Sequence, residues 1–406
     1  MGYDFDTPVN RRGTNSLKWD VKENELPMWV ADMDFVAAPE ILEAIAARAA
    51  HGVYGYSVLP DMWYQAYIDW WESRHAFAIQ KDWMMFCTGV VAAISSIVRK
   101  LTTPAEKVLI QTPVYNIFFN CILNNGRVVQ ENPLLYDGAE YQIDFEDLEN
   151  KLADPQTTLM ILCNPHNPIG KIWDRETLAR IGDLCKKHHV VVISDEIHCD
   201  LTSPGCDYIP FASVSETCRE NSITCIAPTK TFNLAGLHTS AVVIPNEVLR
   251  HKVWRGLNTD EVAEPNAFAI DATVAAFTKG APWLDALREY IQGNKDTVVQ
   301  YVAEHIPGVH VVPSEATYLL WLDCGAWLDS MVNRRSSISD VISDLWDGSG
   351  WNIAQYIRNK TGLYLSSGNQ YGGNGERFLR MNLACPRAYV QEGMKRLEEA
   401  LGSVTK

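Results

Sequence analysis

The strongest constraint on this chain is an alternation. Between about residues 40 and 275, short apolar runs take turns with longer stretches whose apolar residues recur at helical spacing. The runs include KVLIQTP, TTLMILC, VVVISDE, NSITCIA and SAVVIP. A strand with one wet face alternates apolar and polar residues; these runs are apolar almost throughout, so both of their faces must be covered. The intervening stretches supply the cover. PEILEAIAARAAHG reads as an amphipathic helix closed by Gly52, and DRETLARIGDLCKKHH carries Leu178, Ile181, Leu184 and Cys185 at helical spacing. The pattern predicts an α/β fold with a mostly parallel central sheet covered by helices. In such sheets ligands collect beyond the carboxyl ends of the strands, so the residues that follow each run are where chemistry belongs.

Past about residue 280 the texture changes. A long helical stretch, APWLDALREYIQGNKDTVVQYVAEHI, leads into the strand candidates VHVVPS and ATYLLWLDC. A polar segment follows, then LYLSSG, FLRMNLA and a closing helix. This predicts a smaller α+β domain. The expected division is an N-terminal segment, 1–40, that joins the small domain; a large domain, 41–280; and the small C-terminal domain, 281–406. A chain of 406 residues is ample for two packed lobes.

Charge and cysteines narrow the class. The formal charge is −15 and basic residues never run beyond a pair or triplet, so neither nucleic acid nor an anionic membrane is an expected partner. A small anion remains possible, because a pocket can be locally positive. The ten cysteines are scattered without a CxxC or a zinc-finger spacing; no metal site is expected, and Cys163 in TTLMILC reads as a buried free thiol. The stretch MGYDFDTPVNRRG lacks the apolar core of a signal peptide, and no apolar run approaches the ~20 residues of a membrane span. A soluble cytoplasmic protein is expected.

Four features stand at strand ends. NPHNPIG, 164–170, follows TTLMILC and fixes a tight turn with outward polar side chains, either a plain connection or part of a site. In SDEIH, 194–198, Asp195 follows an apolar strand, where a carboxylate is costly unless it meets a cation or caps a helix in water. His198, three residues on, is either a ring neighbour of the same ligand or simply a satisfied polar residue. In APTKTFNLAGL, 227–237, Lys230 follows another apolar strand among small and β-branched residues. Desolvation there would lower its pKa, and a neutral amine is what forms a Schiff base. Lastly, TGVVAAISSIVRKL, 88–101, opens a helix after a glycine, where free N–H groups can hold a phosphate. Phosphate cradle, carboxylate and lysine, in this order on successive strand ends, are what pyridoxal phosphate requires.

Together with these, MWVADMDF (28–35), GVYGYS (52–57), TPVYNIF (112–118) and FLRMNLACPR (378–387) give the chain a specific likeness. It resembles the fold-type I pyridoxal-phosphate enzymes of the class I/II aminotransferase superfamily, and within them the cystathionine β-lyase branch. The resemblance implies a role for each matching position. Lys230 carries the cofactor and moves protons, and Asp195 pairs with the pyridinium nitrogen. Asn167 and His198 flank the phenolic oxygen, and Tyr115 stacks on the ring. The backbone of Val90 and Val91 binds the phosphate. Tyr56 reaches across from a neighbouring subunit of a homodimer with shared sites. Arg380 clamps the substrate α-carboxylate, with Asn167 and the backbone near Ala31 assisting; Arg387 is the rival for that clamp.

The chain also departs from its relatives' pattern. Many have a serine three residues before the lysine as a phosphate ligand, where this chain has Ala227; Thr229 or Thr88 is the candidate replacement. Where aspartate-aminotransferase-like enzymes have an arginine, this chain has His238. The segment 326–351 is longer than its counterpart in the lyases, as a lid, an oligomer contact or a neutral insertion. The implied activity is α,β-elimination from an amino-acid substrate, namely cystathionine, cysteine or another S-substituted cysteine, to pyruvate, ammonia and a thiol. An aminotransferase would use the same groups, and a regulatory protein that keeps the fold is the third reading.

Overall fold

A computed structural model of the chain describes residues 2–333, 345 and 351–402. The apolar runs form one sheet of seven strands: β1 (Met84–Cys87), β2 (Lys107–Ile110), β3 (Val128–Glu131), β4 (Thr157–Cys163), β5 (Val191–Asp195), β6 (Ser222–Ile226) and β7 (Ser240–Val243). Their order is β1-β7-β6-β5-β4-β2-β3. From β6 to β3 all neighbours are parallel, as the apolar runs predict. β7 is antiparallel to both β6 and β1. A parallel return needs a crossover to the far end of the sheet. Here residues 227–239 are taken up by a short helix, Pro228–Thr231, and a 3-10 turn, Ala235–Leu237, so the chain comes straight back.

The strands are apolar throughout because adjacent residues enter different cores. Val108, Ile110, Ile161 and Ile193 pack with the helices Val90–Leu101 and Glu247–Thr259. Leu109, Met160, Leu162 and Val192 face the other way, against Leu178, Ile181 and Cys185 of the helix Arg175–Lys187. Each such aliphatic side chain contributes roughly 1.5–3 kcal/mol of burial, so the pattern itself specifies a sheet covered on both sides.

The second sheet is antiparallel and contains β8 (His310–Val311), β9 (Leu319–Asp323), β10 (Ser366–Ser367) and β11 (Phe378–Asn382), in the order β8-β9-β11-β10. Leu320, Leu322, Leu379 and Met381 share a core with Val298 and Val302 of the helix Ala281–His305 and with Met394 and Leu397 of the closing helix Arg387–Gly402. LYLSSG is divided: Leu363–Tyr364 pairs in parallel with Leu26–Pro27, and Ser366–Ser367 joins β11. Residues 26–27 are thereby hydrogen-bonded to the C-terminal part of the chain. The 326–351 segment lies largely outside the described residues; the helix Gly325–Asn333 covers its start. Among the described residues no helix is long and apolar enough to cross a membrane.

Buried charges fasten the stretch 29–35. Lys18 Nζ lies 2.6 Å from Asp34 Oδ2, with both side chains only 1% exposed. Arg11 bridges Asp32 and Asp34 at 2.6 Å each, and Trp19 Nε1 donates to Asp34 Oδ1. Charges this deeply buried persist only when paired, so the N-terminal segment and this stretch hold each other in one place.

Gly170 closes the turn after β4 at φ +70°, and its carbonyl accepts from the N–H groups of Glu315 and Ala316 at 2.8 and 2.9 Å. A Cβ there would lie 2.2 Å from Ser314 Oγ. Gly170→Ala is expected to destabilise the protein by about 2 kcal/mol or more, read as a lower urea midpoint; an unchanged midpoint would mean the turn is not held this tightly.

Candidate active site

The carboxyl ends of β4 and β5, the loop after β6, the start of the helix Val90–Leu101 and the stretch around Ala31 converge on a cavity of about 210 Å³. Ala31, Val90, Val91, Tyr115, Asn167, Asp195, His198, Thr229 and Lys230 all line it, as do Thr88 and His238. Residues up to about 200 positions apart in the chain therefore meet where the strand-end rule places a site.

Lys230 sits on the short helix after β6, and its Nζ donates to the carbonyl of Ala31 at 2.6 Å. Burial, helped by the Arg380 charge, lowers its pKa to about 8, so a substantial neutral fraction exists near neutral pH. Asp195 closes β5 and is 5% exposed. Among the described residues its carboxylate has one hydrogen bond, from the Ile197 N–H at 3.2 Å, and burial pushes its pKa up to about 7. A buried carboxylate so poorly served is a receptor for a cationic or proton-bearing group. His198 is driven down to about 3 by burial, with Lys230 and Arg380 adding to the effect, and is therefore neutral; its Nδ1 is buried without a partner among the described residues. Burial raises the Tyr115 phenol to about 12, which keeps it protonated beside the cavity.

Arg380 lies on β11, 5% exposed, and reaches the site from the other lobe. Its Nη2 donates to Trp29 O at 2.8 Å and its Nη1 to Asn167 Oδ1 at 3.4 Å, while Nε is buried without a partner among the described residues. Among the described residues it has no carboxylate partner, so this guanidinium can still receive an anion. Arg387 is set against Tyr290, with its guanidinium 5.1 Å from that ring, away from the cavity. That placement favours Arg380 over its rival.

The helix Val90–Leu101 begins after Gly89 with no side-chain cap, which leaves its first N–H groups facing the cavity end. Ala227 is buried in the core behind the helix and does not line the cavity, whereas Thr88 and Thr229 do. Tyr56 is not brought in: its side chain is 100% exposed in the single chain.

Several contributors carry no residue-type signal in the sequence. Asn233 donates to Met33 O and Phe35 O and accepts from the Met33 N–H. Asn382 donates to Val30 O and Asp32 O. These two amides fix the backbone that presents Ala31. Gly89, Cys163, Ile197, Ala235 and Thr239 complete the lining. Well away from it, His75, Cys199 and Asp200 place their ligand-type atoms within 4.8 Å of one another, but the Asp200 oxygens already accept from Trp70 and Thr231 and face His75.

The donor set fits pyridoxal phosphate. Lys230 offers an amine that is easily neutral, Asp195 an unmatched carboxylate for the ring nitrogen, and His198 an unpartnered ring nitrogen. The uncapped helix start suits a phosphate, and Arg380 is left for a substrate carboxylate. A mostly parallel sheet with this lysine and this carboxylate on neighbouring strand ends defines the fold-type I class. Within that class the chain belongs to the aminotransferase class I and II family, which it matches over residues 24–397. It is 41% identical over 404 residues to cystathionine β-lyase PatB of Bacillus subtilis (strain 168), covering 98% of this chain and 99% of that protein. It is 32% identical to protein MalY of Escherichia coli (strain K12), covering 99% of this chain and all of that one. Cystalysin of Treponema denticola, whose crystal structure contains pyridoxal 5'-phosphate, superposes with a TM-score of 0.91 at 31% identity over the whole of both chains.

The state of Asp195 can be tested directly. Between its ordinary 3.8 and about 7 the folded protein holds a proton that the unfolded chain releases, so this group costs stability as pH rises through that window. In protein stripped of bound small molecules, Asp195→Asn is expected to be more stable than the parent at pH 8. The gain is on the order of a few kcal/mol and shrinks toward pH 5. Equal stability at pH 8 in thermal melts would mean Asp195 is not held as a desolvated acid.

Proposed function

We propose that this protein is a pyridoxal-phosphate-dependent carbon–sulfur β-lyase that cleaves cystathionine, cysteine or another S-substituted cysteine to pyruvate, ammonia and a thiol. The observation that carries this is the whole-chain likeness to a cystathionine β-lyase, joined to a cavity lined by Lys230 and Asp195 with Arg380 beside it at Asn167; among the described residues none of the three has an ion-pair partner. When bound, the cofactor supplies an electron sink for the bond broken at the substrate α-carbon. Asp195 holds a proton at the ring nitrogen, and Tyr115 covers a ring face. Asn167 and His198 bound the oxygen-bearing edge. The N–H groups at Val90 and Val91, with the hydroxyls of Thr229 and Thr88, receive the phosphate. Arg380 binds the α-carboxylate beside Asn167, which orients the Cα–H toward Lys230. Lys230 Nζ, close to neutrality, takes that proton and returns one to the departing sulfur.

An aminotransferase would need the same groups, and the family carries that name, so the products decide. With cofactor and cystathionine, the expected result is equimolar pyruvate, ammonia and thiol, with Lys230→Ala slower by a factor of about 10³ or more. Transfer of the amino group to a 2-oxo acid, with no pyruvate from cystathionine, would overturn the lyase reading.

The division of the chain near residues 40 and 280 belongs to this proposal, supported by the two separate sheets. A cytoplasmic location is supported by ten free cysteines. The site is completed in a homodimer by Tyr56 of a second copy, supported by the exposed apolar run of Val53, Tyr54, Tyr56, Val58 and Met62. Mixing inactive Lys230→Ala and Tyr56→Ala chains should restore about one quarter of the parent activity through hybrid dimers. No recovery, with hybrids verified by mass, would contradict shared sites.

A further inference from the structure

The carbonyl of Ala31 accepts two hydrogen bonds, one from Lys230 Nζ at 2.6 Å and one from Tyr318 Oη at 2.9 Å. Tyr318 is fully buried at the head of β9, and its ring stands edge-on to His198 with centroids 6.1 Å apart. We infer that Tyr318 is a positioning residue for Lys230: its hydroxyl holds the Ala31 carbonyl as the dock on which the lysine amine rests when free. This rests on the reading of Lys230 as the cofactor-bearing residue.

Two features make Tyr318 suited to that task. The first is that it cannot wander. Its carbonyl accepts from the Leu383 N–H at 2.8 Å, and the neighbouring Thr317 N–H donates to Leu201 O at 2.6 Å. Ser203 N–H donates to Glu315 O at 2.7 Å, and Lys295, itself buried, donates to Ser314 Oγ and Ala316 O. The strand end is therefore tied to both lobes. The second is that its donor role is constant, because burial raises the phenol far above its ordinary range. Lys230 can exchange its proton near neutral pH; Tyr318 cannot. When the amine leaves Ala31 for a ligand, the tyrosine hydroxyl still satisfies that carbonyl, and the 29–34 backbone that also serves Arg380 and Asn382 stays in place.

The hydroxyl has a further electrostatic consequence. A carbonyl already accepting from Tyr318 is a weaker acceptor for an ammonium, so the tyrosine favours the neutral amine. The other charges that face Lys230 are Arg380 from β11, which acts in the same direction, and Asp32 and Asp195, which oppose it. His198 is neutral.

The test uses the cofactor-free protein and needs no substrate turnover. The rate at which it captures added pyridoxal phosphate is followed by absorbance as a function of pH. In Tyr318→Phe the midpoint of that profile is expected to move up by about half a pH unit, with the parent's circular dichroism and melting temperature retained. An unmoved midpoint overturns the inference. Should Tyr318→Phe fail to fold, 3-fluorotyrosine placed at 318 keeps the shape and strengthens the donor; its midpoint is expected to move down, and no downward shift overturns the inference equally. Lys230→Ala separates the two readings. If that variant develops the same absorbance band, the assignment of the cofactor to Lys230 fails, whatever Tyr318 does.

Discussion

Three ionisable groups set the terms for this molecule: Asp195 and Arg380 are buried and Lys230 is half-buried in one region, and none has an ion-pair partner among the described residues. Leaving such groups unmatched costs stability, and a fold tolerates it only where the rest of the structure over-determines their positions. The surrounding architecture does this. Asp195 is the last residue of a central strand, Lys230 follows the neighbouring strand by four residues, and Arg380 is held in a second sheet. We propose that the arrangement is a receptor completed by its ligands: a cationic ring nitrogen for the carboxylate, an aldehyde for the amine and a carboxylate for the guanidinium.

The two lobes are kept in register by contacts that themselves lie outside the cavity. Arg11 and Lys18 pin Asp32 and Asp34, while Asn233 and Asn382 hold the backbone between them. The turn ending at Gly170 is clamped by Glu315 and Ala316. The ion pairs and the two amides flank Ala31, whose carbonyl accepts from Lys230, while the Gly170 clamp ties the turn after β4 to the segment that leads into β9.

Much of this was legible in the chain itself. Continuous apolar strands demanded a covered sheet, and a charged residue directly after such a strand is conspicuous, which is why Lys230 and Asp195 could be picked out. The proposed carboxylate clamp had less to go on: Arg380 and Arg387 are both arginines in the same stretch, and the packing of Arg387 against Tyr290 is what tells them apart. Other features left no mark. The Ala31 carbonyl is backbone, and Tyr318 reads as one more apolar residue of a strand. The partners of Asn233 lie about 200 residues distant, and those of Asn382 about 350, so they belong to the tertiary fold rather than to any local pattern. The antiparallel β7 was hidden for a related reason: strand direction depends on where the connecting residues travel, not on the strand's own composition.

We propose that the unmatched lysine at the strand end receives the cofactor. This is tested most directly by incubating the protein with pyridoxal phosphate, reducing with borohydride, digesting and sequencing the modified peptide by mass spectrometry. The expected result is the reduced adduct on Lys230 and on no other lysine. An adduct on a different lysine, or none at all in folded protein, would contradict it.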